Sequence, residues 1–129
     1  MNTLLFTDET NFQKIKHKRG ELLRQLNDIF GEKPDLQGLI FLIGVQELGK
    51  GPQNFSKDEK QDLMHIATCR LLSFEGYYEF TGLDDDGWPQ YEIVKHPPQM
   101  SLKDQDLMLK KNVIQYFELQ GFNLENQPI

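Results

Sequence analysis

Leu36-Gln37-Gly38-Leu39-Ile40-Phe41-Leu42-Ile43-Gly44-Val45 is the stretch on which the reading of the whole chain turns. From Leu39 to Val45 every residue but Gly44 is large and apolar, and no polar side chain interrupts the run. A helix through it has no wet face, so it belongs inside the protein rather than on its surface. The run is too short to cross a bilayer, which takes about 20 residues. It reads as a central helix over about 36–48, started by Pro34 and Asp35 and stopped by Gly49, with Gly51-Pro52 marking a loop. Gly38 and Gly44 inside it are expected to let a neighbouring backbone come close.

Outward from that run the chain is amphipathic. Before it, Phe12, Ile15, Leu22, Leu23, Leu26, Ile29 and Phe30 recur at helical spacing, which predicts a helix over about 9–30 closed by Gly31. Thr7 and Asp8 are its candidate caps, and Leu4-Leu5-Phe6 forms a short apolar patch ahead of them. Gly20 interrupts this helix, with a kink or a close contact expected there. After the central run, Ser56 and Glu59 have capping-box spacing and open a helix to about 74. Its apolar face is Leu63, Ile66, Ala67, Leu71 and Phe74.

Tyr77 to Leu83 and Trp88 to Val94 alternate aromatic or branched residues with polar ones about Asp84-Asp85-Asp86-Gly87, a β-hairpin signal over about 77–94. Tyr78, Phe80, Tyr91 and Ile93 are expected to share one face. Pro89, which has no N–H to donate, marks an edge strand. Ser101 caps a last helix to about 120, with Leu102, Leu109, Val113, Tyr116 and Phe117 on one face. Leu107 and Ile114 fall nearly opposite. The expected fold is mainly α: four helices packed about the central one, with the hairpin at the side, in one domain spanning residues 1–129.

The totals narrow the function. A formal charge of −6 argues against non-specific nucleic-acid binding, which rests on neutralising phosphates. One cysteine permits no internal disulfide and points to a reducing compartment. The first residues lack a basic stretch followed by a long apolar one, so no signal peptide and no membrane span are expected, and the cytoplasm is the expected location.

No Walker A loop, nucleophile elbow, His-Glu-x-x-His zinc motif, dinucleotide loop or paired Cys-x-x-Cys is present. No catalytic residue, cofactor or metal is therefore assigned. The clearest candidate surface is the hairpin. Between Leu71 and Val94 stand six acids and no Lys or Arg, interleaved with six aromatics. Acid beside aromatic rings suits a basic protein partner, through long-range attraction and cation–π contact. Asp84, Asp85 and Asp86 would attract it, and Trp88 and Tyr77 would anchor it. A calcium loop fits poorly, since an EF-hand register would place Ile93 where the terminal glutamate belongs.

The alternative reading is an enzyme or metal-binding protein with a polar site formed by Glu47, Asp62, His65, Cys69 and Arg70. Asp62, His65 and Cys69 are expected on the outer side of their helix, so these five meet only if another element covers that side. Arg70 projects from the apolar face and is expected either to find a carboxylate partner, Glu47 first and then Glu79 or Glu118, or to snorkel to the edge. The basic run Lys14, Lys16, His17, Lys18 and Arg19 reads as a solvated face able to meet an acidic neighbour. Leu107 and Ile114, with Leu4-Leu5-Phe6, are apolar groups in surplus of one core, and mark an expected homodimer surface.

Overall fold

A computed structural model describes residues 9–125 of the chain, and the side chains of 12–125. The Leu4-Leu5-Phe6 patch and the caps expected at Thr7 and Asp8 lie outside the described residues. The elements in order are α1 (Glu9–Phe30), α2 (Leu36–Leu48), α3 (Lys57–Ser73), β1 (Tyr78–Leu83), β2 (Pro89–Ile93) and α4 (Leu102–Leu119). The fold is mainly α with one antiparallel hairpin. Two compact units emerge. One takes its described residues from Met1–Pro34 and Gln99–Ile129, and the other is Asp35–Pro98.

In the second unit, α2 is the all-apolar helix. Asp35 caps it by accepting the Gly38 N–H at 2.8 Å, and Gly49 closes it at φ 73°, where glycine carries no steric cost. None of Leu39 to Val45 is exposed. Helix α3 starts on the expected box: Ser56 Oγ accepts from the Glu59 N–H at 3.1 Å, and Glu59 Oε1 accepts from the Ser56 N–H at 2.8 Å. The two helices meet at Gly44. A Cβ there would overlap the Leu63 carbonyl oxygen and come within 2.8 Å of its carbon. Around that contact Leu39, Ile40, Ile43 and Leu48 are buried, as are Leu63, Ile66, Ala67 and Leu71. Each large apolar side chain so buried contributes about 1.5–3 kcal/mol.

Beyond α3 the chain reverses through Gly76 at φ 82°, with the Tyr77 N–H donating to the Leu72 carbonyl at 3.2 Å. The hairpin register pairs Tyr78 with Ile93 and Phe80 with Tyr91, so these four share a face. Phe80 and Tyr91 pack edge to face, their ring centres 5.7 Å apart. The register shifts between Phe80 and Gly82, and Thr81 caps the irregularity by donating from Oγ1 to the Gln90 carbonyl. Pro89 ends the ladder opposite Leu83.

In the first unit, α1 and α4 lie side by side. Lys18 pairs with Glu118 at 2.9 Å, and further along Gln25 Nε2 donates to the Asn123 carbonyl at 2.9 Å. Ile15, Leu22 and Leu26 are buried, but Phe12, Ile29 and Phe30 of the expected stripe are exposed. Leu102 is 81% exposed, although the spacing assigns it to the inner face. Leu107 and Ile114 are a correction in the other direction. They are buried within the chain, so neither side chain is exposed to meet a second copy. Buried residues encircle α4, from Leu107 and Met108 round to Val113, Tyr116 and Phe117. The expectation of one inner face treated α4 as a surface helix, which it is not.

Two glycines separate close packing from open space. Gly44→Ala pushes a methyl group into the Leu63 backbone, and destabilisation by about 1–3 kcal/mol is expected, the range for overpacked cores. Gly20 has nothing within 4 Å of an added Cβ, so the close contact expected there is absent. Gly20→Ala is expected to stabilise by about 1 kcal/mol. Urea midpoints that move the same way for both variants would contradict this packing.

Candidate functional site

The hairpin turn is built by Asp84. Its N–H donates to the Trp88 carbonyl at 2.9 Å, and its carbonyl accepts the Gly87 N–H at 3.0 Å. Its Oδ1 accepts the N–H groups of Asp86 and Trp88, both at 2.9 Å. Asp84 therefore shapes the turn with its side chain, and all three aspartates are exposed. Lys50, from the loop between α2 and α3, donates from Nζ to the Asp86 carbonyl at 2.5 Å. The acidic stretch contains no basic residue of its own, and this charge arrives from 36 residues away. Local spacing carries no sign of it.

The turn faces α3. Glu59, Asp62 and His65, spaced three apart along the helix, line an open groove of about 550 Å³ with Asp84, Asp86, Trp88, Gln90 and Tyr91, over Ile66 and Pro89. Trp88 is half-buried in it. Tyr77 is a correction. It is 8% exposed, too buried to anchor a partner. It sits where α3 turns into β1, its carbonyl accepts the Val94 N–H at 2.9 Å, and Lys95 Nζ lies over its ring at 5.3 Å. The aromatic pattern marked the ring but not the junction that encloses it.

Glu47, Asp62, His65, Cys69 and Arg70 do not line one groove: Glu47 and Arg70 line one, and Asp62 and His65 line another. Arg70 Nε lies 3.4 Å from Glu47 Oε1, the carboxylate ranked first among its partners. Its guanidinium also stacks over Phe74, 4.8 Å from the ring centre. Asp62 and His65 line the acidic groove instead. The hairpin covers the outer side of α3, and Pro89 and Tyr91 form a wall there, with lining on both sides. On the far side is a second groove of about 550 Å³, which holds Glu47, Arg70, Ser73, Tyr78, Glu79, Phe80 and Leu83. Cys69, expected to face outward, is buried for the same reason. Its Sγ lies 3.5 Å from His65 Nε2, a weak contact whose donor depends on the ring tautomer. Burial pushes the thiol pKa up, which keeps it protonated and a poor nucleophile. Among the described residues, no cluster of three or more His, Cys, Asp or Glu is placed to hold a metal ion.

Sequence reasoning missed Tyr91 as a site residue. Burial, and then the adjacent Glu47 carboxylate, push its hydroxyl up to about 12. In the first unit, Lys18 bridges Glu118 at 2.9 Å and Glu125 at 2.7 Å, and its hydrogen bond to Glu125 raises its pKa while lowering that of Glu125. Lys14, Lys16 and His17 of the basic run are exposed. No helix among the described residues is long and apolar enough to cross a membrane.

Tyr91 supplies a pH test. A tyrosine whose folded pKa lies above its unfolded value binds its proton more tightly in the native state. Its contribution is fully present below pH 10.0 and is lost as pH rises through about 12. Spectroscopic titration of tyrosinate is expected to show a component near that upper value that Tyr91→Phe removes. A Tyr91→Phe variant with an unchanged titration curve would overturn the placement of this hydroxyl. No protein-family model, curated protein or solved structure matches the chain.

Proposed function

We propose that this chain is a non-catalytic protein-binding module. It takes a basic side chain of a partner into the groove between α3 and the hairpin turn. One observation carries the reading: acidic residues of two separate elements, Glu59 and Asp62 on α3 and Asp84 and Asp86 on the turn, line one concavity with Trp88. A cation entering it would meet negative charge on two sides and an aromatic face, which lowers its free energy by charge attraction and by cation–π contact. The wider field acts in the same direction. Residues 35–98 carry 11 acidic and 5 basic side chains, which accounts for the whole formal charge of −6. Attraction at long range speeds encounter with a basic partner and disfavours nucleic acid. The buried lone thiol suits a reducing, cytoplasmic setting.

The test is calorimetric titration with a lysine-containing peptide at low and high salt. Binding is expected to weaken steeply as salt rises, because open grooves are screened. Asp62→Asn with Asp86→Asn removes one carboxylate from each wall and spares the turn-forming Asp84. Each surface pair contributes about 0.2–1 kcal/mol, so a loss of several-fold to about tenfold is expected. An affinity indifferent to both salt and the double substitution would sink the reading.

A further inference from the structure

The geometry points to a second subsite for the same partner: the groove beyond the Pro89–Tyr91 wall takes a large apolar side chain from the segment whose basic residue fills the acidic groove. This rests on the reading above. Four of the exposed large apolar residues, Phe80, Leu83, Ile93 and Val94, belong to the hairpin. Phe80 and Leu83 line the second groove and are 53% and 63% exposed. Exposed apolar side chains gathered in one concavity mark contact surfaces more often than scattered ones do. Two features say what covers them. The second groove carries Glu47 and Glu79 against Arg70, so its own charge also favours a segment of positive sign. It adjoins the acidic groove across the shared Pro89–Tyr91 wall. A partner with a cationic and an apolar side chain on one segment matches both concavities at once.

The experiment uses the full chain and short synthetic peptides that carry one lysine and one leucine at varied spacing, with lysine-only and leucine-only controls. At its best spacing, the mixed peptide is expected to bind about tenfold more tightly than the lysine-only control, from burial of one leucine. Phe80→Ser with Leu83→Ser is expected to abolish that gain and leave lysine-only binding unchanged. Both side chains are exposed, and circular dichroism verifies the fold of the variant. A mixed peptide no tighter than lysine alone overturns the subsite and leaves the acidic groove standing. Lysine-only peptides that fail to bind overturn the acidic groove itself. A wild-type dimer in light scattering that the double serine variant converts to monomer also overturns the proposal, because the apolar groove is then occupied by a second copy.

Discussion

The contact of Gly44 with the backbone of Leu63 sets the geometry on which the rest of the second unit depends. Helices with side chains at their crossing sit about 8–10 Å apart, and a glycine lets them approach more closely. Here the approach leaves no room for even a methyl group. It holds the apolar face of α3 onto a helix that has no polar face of its own. It also fixes where the last turn of α2 meets α3, and so brings Glu47 to Arg70.

From that base the hairpin is placed by its connections. A two-stranded hairpin is marginal alone and needs a surface to lie on. The reversal at Gly76 and the Tyr77 hydrogen bonds to Leu72 and Val94 join both strands to the end of α3. Pro89 and Tyr91 then pack inward, and the space left on either side of them forms the two grooves. Lys50 holds the turn from outside the hairpin. The grooves are thus a consequence of how β2 crosses α3. Burial of Tyr91 and its proximity to Glu47 record that crossing in the chemistry of one hydroxyl.

What could be read from the chain alone follows the range of the interactions involved. Caps and turns are local, so Asp35, Ser56 with Glu59, Ser101 and the Asp-Gly turn were legible, as was the all-apolar α2. The pairing of Phe80 with Tyr91 followed from strand alternation. Which side of a helix is covered is a tertiary matter. Cys69, Leu107 and Ile114 were placed outward because a single apolar face was assumed, and all three are buried. Phe12, Ile29 and Phe30 show the opposite error, since periodicity marks a stripe but not how far its cover extends. In the candidate site, the acidic turn and Trp88 were legible. Tyr77 was misplaced, and neither the α3 wall of Glu59, Asp62 and His65 nor the Lys50 contact could be found from spacing alone.

The most direct test of this account is a nuclear Overhauser measurement in solution between the Gly44 α-protons and the protons of Leu63. Strong cross-peaks are predicted, because no side chain separates the two backbones. Their absence in a folded, fully assigned protein would contradict the close crossing of α2 and α3, and with it the placement of both grooves.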